Sequence, residues 1–166
     1  MPRSPIIGVM GGGTASPNDL EIAYQLGSLI AQNGWVLLNG GRRAGIMEAS
    51  AKGAKSLGGL TVGILPDESH RGTSAFIDIP VLTGMGNARN CINVLSSDVV
   101  VACPGGAGTL SEIALALKVR RPVILLNFNT GNAFNSYTEQ GLLHHATTPE
   151  AVVELIKKLL KPDQFK

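Results

Sequence analysis

The sequence predicts a single-domain, Rossmann-like α/β fold, with a doubly wound, mostly parallel sheet flanked by helices. Short, uniformly apolar runs alternate with helical patterns along the 166 residues, and strands of this kind are covered by helices on both faces. Clusters of glycine follow four of the predicted strands, at the sheet edge where such folds bind their ligands. Because no linker or repeat interrupts this alternation, residues 1–166 are expected to form one anion- or nucleotide-binding domain.

The first half of the chain predicts three strands and two helices. The first strand is expected over residues 5–10. The helix after it, over 18–33, has Ser16 as a suitable N-cap and Asp19 near the positive end of its dipole. The remaining elements of this half are a strand at 35–38, a helix at 45–57 and a strand at 60–65.

The second half predicts three more strands. A polar segment over residues 66–76 comes first, and its Asp67 and Glu68 either gate a nearby site or are simply solvated. The final helix begins at 148–150 and has an apolar stripe at helical spacing. The elements between them are a strand at 79–82, a helix at 87–96, a strand at 98–103, a helix at 109–119 and a strand at 122–126.

Charge and composition argue against nucleic acid and membranes as partners. The net charge is only +2 and aromatic residues make up 4% of the chain, whereas nucleic-acid binding needs clustered cations and stacking platforms. No apolar run approaches the about 18 residues of a membrane span, and no signal peptide is recognisable. A cytoplasmic protein is expected.

The cysteines and histidines predict no metal site. Cys91 and Cys103 have no CxxC spacing, so two thiols in a reducing compartment are expected. His70, His144 and His145 have no further ligand at metal-binding spacing.

The clearest functional signal is the glycine-rich loop after the fifth predicted strand. Glycine lets the backbone approach a ligand closely, and successive N–H groups at a helix start form a concave site for an anion. A tight turn without a ligand is the alternative. We expect a small anionic or phosphorylated ligand to be bound by Pro104, Gly105, Gly106, Gly108 and Thr109.

Three other loops are expected to meet this one, because the carboxyl ends of parallel strands share one edge of the sheet. One of the consecutive residues Arg42 and Arg43 should face the anion, and Arg42 is assigned to the site. The residues contributed by these loops are Gly11, Gly12, Gly13 and Thr14, then Gly40, Gly41 and Arg42, then Gly86 and Asn87.

Two charged side chains, Glu112 and Arg89, are expected at the same edge. Glu112, predicted on the first turn of its helix, either hydrogen-bonds ligand hydroxyl or amino groups or merely complements the helix dipole. Arg89 lies where a helix begins, an unfavourable place for a cation unless an anion binds alongside. Its guanidinium can hold such an anion with two hydrogen bonds, and a solvated surface arginine is the alternative.

Several familiar motifs do not occur. The sequence contains neither the G-x-x-x-x-G-K-[ST] P-loop nor a G-x-S-x-G elbow, which excludes P-loop nucleoside triphosphatases and hydrolases built on that elbow. The first loop lacks G-x-G-x-x-G and Asn39 closes the second strand, so NAD binding is not expected.

Two predicted helices, around residues 91–95 and 113–117, are apolar nearly all round. One face of each packs on the sheet while the other still needs cover. Self-association would bury that surface, so a homo-oligomer, either a dimer or a tetramer, is expected.

The run from Pro104 to Glu112 matches the motif P-G-G-x-G-T-x-x-E, and the chain thereby resembles the Lonely guy-type proteins, often mislabelled lysine decarboxylases. The best-known members are phosphoribohydrolases, which cleave the N-glycosidic bond of a nucleoside monophosphate. This resemblance implies that Arg89 and Glu112 would be the catalytic residues if the chain is a hydrolase. Nothing marks a Schiff-base lysine or a pyridoxal phosphate site.

Over almost its full length the chain is similar to one branch, the molybdenum cofactor carrier proteins of algae and cyanobacteria, most clearly at 5–11, 86–97 and 114–118. This resemblance implies a homo-oligomer that binds and protects the molybdenum cofactor (molybdopterin) unchanged, with molybdoenzymes as candidate recipients. Hydrolases of the superfamily typically carry His-x-Arg-Lys where this chain has Asn87-Ala88-Arg89-Asn90. We therefore favour a carrier, with nucleoside 5′-monophosphate phosphoribohydrolase as the alternative.

Overall fold

The computed structural model describes residues 3–160, which form one parallel sheet with helices on both faces. The strands of this part are β1 (Ile6–Met10), β2 (Val36–Asn39), β3 (Thr61–Leu65), β4 (Ile79–Leu82), β5 (Val99–Ala102), β6 (Val123–Leu126) and β7 (Leu143–Ala146). Its α-helices are α1 (Pro17–Gln32), α2 (Gly45–Ser56), α3 (Asn90–Leu95), α4 (Ala107–Lys118), α5 (Asn135–Glu139) and α6 (Pro149–Leu159), and a 3₁₀ turn, Gly86–Arg89, precedes α3. The predicted α/β class is confirmed.

The strand order places β1 at the centre of the sheet. The order is β4-β3-β2-β1-β5-β6-β7, and each neighbouring pair is parallel. In the register of this centre, Gly8 of β1 lies opposite Leu38 of β2 and Val100 of β5. The chain extends the sheet one way from β1 to β4 and the other way from β5 onward. The crevice between the loops after β1 and β5 is therefore the switch point where ligands bind in open α/β sheets.

Apolar side chains fill both faces of the sheet. Ile7 and Val9 of β1 pack in one layer with α1, α2 and α6, and both are fully buried. Met10 of the same strand points the other way, into a layer built with α3 and α4. Burial on both faces explains why the central strands read as continuous apolar runs in the sequence.

Helices α1 and α2 cross at two glycines. A Cβ on Gly27 of α1 would overlap the carbonyl oxygen of Ser50, and one on Gly53 of α2 would overlap that of Tyr24. Glycine at both positions lets the two helix backbones touch, which holds α2 and the loop before it close to the central strand.

A carboxylate secures the amino edge of the central strands. Asp98 accepts two hydrogen bonds of 2.7 Å from the Arg3 guanidinium and one of 2.8 Å from the Ile6 N–H. Burial alone would raise the pKa of Asp98, but the bonds from Arg3 and Ile6 and the positive charge of Arg3 lower it overall. Ionised Asp98 thus holds the start of β1 against β5.

The structure differs from the predicted elements in its last third. Strand β7 was not predicted because its centre is His144-His145, and His145 is exposed on the sheet edge. Helix α5 is only five residues long, too short for an apolar period to show. The predicted helix at 87–96 is divided into the 3₁₀ turn and α3. Among residues 3–160, no helix is both long and apolar enough to cross a membrane.

Candidate anion-binding cleft

A cleft opens at the carboxyl edge of the sheet, where the loops after β1, β2 and β5 meet the 3₁₀ turn. Its cavity measures about 180 Å³. The lining residues are Val9, Met10, Gly11, Gly12, Gly13, Gly40, Met47, Asn87, Arg89, Asn90, Gly106, Gly108, Thr109 and Glu112. Four separate loops predicted from the sequence to converge thus contribute to one concavity.

The start of α4 lies open to this cleft. Its N-cap is Gly106, which offers no capping side chain, and its first turn has no acidic residue. By contrast, Ser16 and Thr148 cap α1 and α6 with their hydroxyls, and those helices carry Asp19 and Glu150 in their first turns. The first-turn N–H groups and the positive dipole end of α4 are therefore directed at the cleft without a side chain to satisfy them.

The loops after β1 and β5 are joined to each other. The N–H of Gly12 donates to the carbonyl oxygen of Pro104 at 3.0 Å. A Cβ on Gly105 would stand 2.8 Å from Cβ of Thr109 and 2.9 Å from the nitrogen of Gly12. Glycine is required at position 105 because the loop, the helix start and the neighbouring loop are in contact there.

Arg89 is a half-buried cation fixed by backbone carbonyls. Its Nη1 donates to the carbonyl oxygen of Gly40 at 2.7 Å and also to that of Ile64. Its Nε is buried and has no hydrogen-bond partner, and the ion pairs of the described residues do not include it. Burial lowers the pKa of Arg89, while the negative charge of Glu112 acts in the opposite direction. An arginine stays protonated in proteins, so the cleft holds a positive charge with a spare donor.

Glu112 lies on the same cleft and is 8% exposed. Its Oε1 accepts a hydrogen bond of 2.8 Å from Nδ2 of Asn93. Burial raises the pKa of Glu112, and the bond from Asn93 and the charge of Arg89 only partly oppose that rise. Because α4 begins at Ala107, two residues earlier than predicted, Glu112 lies in the second turn rather than the first. The interpretation of Glu112 as a dipole-complementing first-turn residue is therefore wrong.

Not every residue assigned from the sequence lines the cavity. Arg42 pairs with Asp67, at 3.0 Å between Nη2 and Oδ2, and does not line the cavity. Gly41, with φ of 74°, turns that loop, and its N–H donates to Oδ1 of Asn39. The assigned residues outside the lining are Thr14, Gly41, Arg42, Gly86, Pro104 and Gly105.

The polar segment over residues 66–76 is attached to the loop after β2. The N–H of Arg43 donates to the carbonyl oxygen of Gly72, and that of Ser74 donates to Gly41, both at 2.9 Å. Arg42 and Thr73 form an antiparallel bridge between them. Together with the Asp67 ion pair, these contacts make the segment a support for the rim of the cleft.

Two residues that matter to the cleft were not singled out in the sequence. Asn93 holds the Glu112 carboxylate from below, and a lone asparagine within the apolar run Ile92-Asn93-Val94 was the available signal, since a buried polar group must find a partner. Met47 lines the cavity near Arg89; the run Gly45-Ile46-Met47 resembles the Lonely guy-type superfamily, but Met47 itself was not assigned to the site.

The fold and the cleft define a Rossmann-like α/β protein with a candidate anion site at the switch point of its sheet. The SLOG cluster4 family model matches residues 4–153, and the chain belongs to that family.

Solved structures of two relatives match almost the whole chain. The molybdenum cofactor binding protein of Rippkaea orientalis is 54% identical, with a TM-score of 0.90 over 96% of this chain and 99% of that one. The molybdenum cofactor carrier protein of Chlamydomonas reinhardtii is 45% identical, with a TM-score of 0.87 over 95% and 98%. The similarity to molybdenum cofactor carrier proteins predicted from the sequence is confirmed.

A more distant relative is an enzyme. The cytokinin riboside 5′-monophosphate phosphoribohydrolase of Mycobacterium tuberculosis is 36% identical over 96 residues. That match covers 57% of this chain and about half, 51%, of the enzyme.

Proposed function

We propose that this chain binds the molybdenum cofactor in the cleft and protects it as a carrier. The observation that carries the proposal is the buried, unpartnered Nε of Arg89 beside the uncapped start of α4. A buried donor without a partner costs about 1–3 kcal/mol, and an oxyanion would satisfy it. The phosphate of the cofactor has the required charge and oxygen acceptors. The identity to two solved molybdenum cofactor proteins over nearly the full chain favours this ligand over other anions.

In this proposal each side of the cleft holds one anionic group. Arg89 and the residues Gly105, Gly106, Gly108 and Thr109 bind the first, and the loops at 11–14 and 40–42 contribute to the second, with Asn87, Gly86 and Pro104 on the rim. Sites for whole drug-sized ligands occupy about 300–1,000 Å³. A cavity of about 180 Å³ is therefore sized for one end of the cofactor, and the rest extends over the loops. The bound cofactor would supply molybdenum chemistry to a recipient enzyme, and the chain itself only holds it.

The alternative function is hydrolysis of a nucleoside 5′-monophosphate. Its support is the M. tuberculosis relative and the position of Glu112, whose carboxylate faces the same cleft as Arg89. Glu112 would then contact the ribose hydroxyls or the developing positive charge, and Arg89 the phosphate. Incubation with AMP would release adenine, and Glu112→Gln would abolish the release. Absence of release from every nucleoside monophosphate tested would end this alternative.

The proposal extends to assembly and location. Leu95 on α3 and Leu110 on α4 are 53% and 39% exposed, and self-association into a dimer or tetramer would cover them. Molybdoenzymes are the proposed recipients of the cofactor. Cys91 and Cys103 are free thiols, which fits a cytoplasmic protein acting as one domain over residues 1–166.

The test is cofactor binding by the wild type and two arginine variants. Bound molybdopterin is oxidised to its fluorescent pterin and quantified after gel filtration. Arg89→Met should lower the affinity by at least about tenfold because two charge-assisted bonds are lost. Arg43→Met is the matched control, since Arg43 is exposed on the neighbouring loop. No binding by the wild type, or an equal loss in both variants, would contradict the proposal.

A further inference from the structure

Asn93 lies beneath the cleft, at the contact between α3 and α4. It is fully buried and does not line the cavity itself. Its Nδ2 donates to Oε1 of Glu112 at 2.8 Å, whereas its Oδ1 is buried without a partner. Of its backbone groups, the carbonyl oxygen accepts from Oγ of Ser97 at 2.7 Å.

The buried carboxamide of Asn93 contributes less to the stability of the fold than an apolar side chain at this position would. A buried carbonyl oxygen without a partner loses its hydration and gains nothing in return. The neighbours Val94 and Ile113 are buried and apolar, so a leucine at position 93 would suit the same layer. Among residues 3–160, the side chain of Asn93 bonds to the Glu112 carboxylate alone, which indicates that its role concerns that carboxylate.

The hydrogen bond from Asn93 keeps Glu112 as a hydrogen-bond acceptor toward the cleft. A donor on Oε1 favours the charged carboxylate and leaves its other lone pairs for a ligand. A carboxylate only accepts hydrogen bonds, so its ligand partner must bring an N–H or O–H group. On the same cleft, Arg89 and the start of α4 offer only donors and positive charge.

We propose that Asn93 is a positioning residue that holds Glu112 as a hydrogen-bond acceptor, so that the cleft selects a ligand carrying both an oxyanion and an amino or hydroxyl donor. This inference rests on the proposed binding function of the cleft. A plain oxyanion accepts hydrogen bonds from Arg89 and α4, but the Glu112 carboxylate repels it and finds no donor on it. A phosphorylated ligand with an amino or hydroxyl group satisfies both sides at once.

The experiment compares two probes on the purified full-length chain. One probe is the fluorescent pterin phosphate obtained by oxidising molybdopterin, which has amino donors, and the other is sulfate, an oxyanion without an O–H group, measured as its competitor. In Asn93→Leu the affinity for the pterin phosphate should fall about tenfold, the effect of losing one bond to a charged group. The affinity for sulfate should stay within about twofold, because its contacts with Arg89 and α4 remain.

A mutant cycle separates positioning from packing. Glu112→Gln should also lower the preference for the pterin phosphate. The double variant with Asn93→Leu should show the same preference as Glu112→Gln alone, because both substitutions act through one carboxylate. Asn93→Ala, which removes the bond without adding bulk or charge, is a second variant in case leucine disturbs the fold, and it should reduce the preference as well. Ser97→Ala is the control: it removes the bond to the Asn93 backbone and should leave the preference unchanged.

Equal weakening of both probes in Asn93→Leu and Asn93→Ala would overturn the inference and leave the binding function standing. Additive effects of Asn93→Leu and Glu112→Gln would overturn it in the same way. Binding of neither probe by the wild type would instead refute the proposed function.

Discussion

The guanidinium of Arg89 lies directly against the Cα of Gly40. A Cβ at position 40 would stand 2.7 Å from Nη1 and 3.0 Å from Nη2, and 2.7 Å from Sδ of Met47. The same Nη1 donates to the carbonyl oxygen of Gly40. The loop after β2 thus fixes both the position and the direction of the cation in the cleft.

Replacing Gly40 should therefore impair ligand binding by displacing Arg89. In Gly40→Ala the new methyl group displaces the guanidinium or the Met47 thioether, and we expect the affinity for the pterin phosphate to fall about tenfold, the equivalent of about 1.4 kcal/mol. Fluorescence titration measures it. Gly141→Ala is the control for binding, because Gly141 has open space around it, away from the cleft; unlike Gly40 it has a positive φ, so this control tests a strained glycine replacement that leaves Arg89 untouched. Unchanged affinity in Gly40→Ala would show that Arg89 does not hold the ligand.

Binding of a simple oxyanion should strengthen as the pH falls. Burial raises the pKa of Glu112 above its usual 4.5. Protonation as the pH drops through that raised pKa removes a negative charge from the cleft, whereas Arg89 stays charged. Sulfate suits the measurement because it does not titrate in this range. Its affinity should rise by up to about tenfold per pH unit, the limit for one linked proton, and Glu112→Gln should show no such slope. A slope that persists in Glu112→Gln would assign the proton to another group.

Acid should weaken the fold through Asp98. The pKa of Asp98 is lowered in the folded chain, so its contribution is complete above the unfolded pKa of about 3.9 and disappears as the pH falls through the folded value. Asp98→Asn should lower the free energy of unfolding by about 1–2 kcal/mol at pH 7. The loss is modest because Arg3 is largely exposed and solvent screens its charge. The difference should shrink as the pH falls through the lowered pKa of Asp98.

Urea titration at several pH values tests this prediction. Glu154→Gln is the control, since Glu154 forms an exposed pair with Lys157 at 3.1 Å on α6 and should change stability little. If Asp98→Asn lowers the free energy of unfolding as much at pH 2 as at pH 7, the carboxylate charge is not the cause of the loss.

Charge on α4 should dissociate the proposed oligomer. In Leu110→Glu a carboxylate would be buried between subunits, and we expect light scattering to report the monomer mass of 17.3 kDa. Leu60→Glu is the control, because Leu60 is 46% exposed next to β3, well away from α4. The same mass for wild type and Leu110→Glu would place any self-association elsewhere.

The sequence predicted the sheet and the loops of the cleft better than it predicted the contacts between side chains. Uniformly apolar strands and glycine clusters are local signals, so the six strands up to Val123–Leu126 and the four converging loops were recognisable. Strand β7 was not, because an edge strand with His145 exposed lacks that apolar signal.

Side-chain pairing depends on residues far apart in the chain, which explains what could not be predicted. Arg42 and Arg43 look equivalent in sequence, and only the folded position of Asp67 draws Arg42 to the rim. Asn93 and Glu112 are 19 residues apart on two helices whose packing no local pattern specifies. The start of α4 was predicted two residues late because Gly108 is a poor helix former.

Because the start of α4 has no side-chain cap, the proposed ligand would complete the first turn of this helix. Ser16 and Thr148 complete the first turns of α1 and α6, whereas under the proposed function α4 would receive its acceptors from the ligand. A filled cleft should then protect the amide hydrogens of Gly108 and Thr109 from exchange with solvent, and emptying it should release them. Amide exchange in the first turn of α4 would therefore report whether the protein carries its ligand.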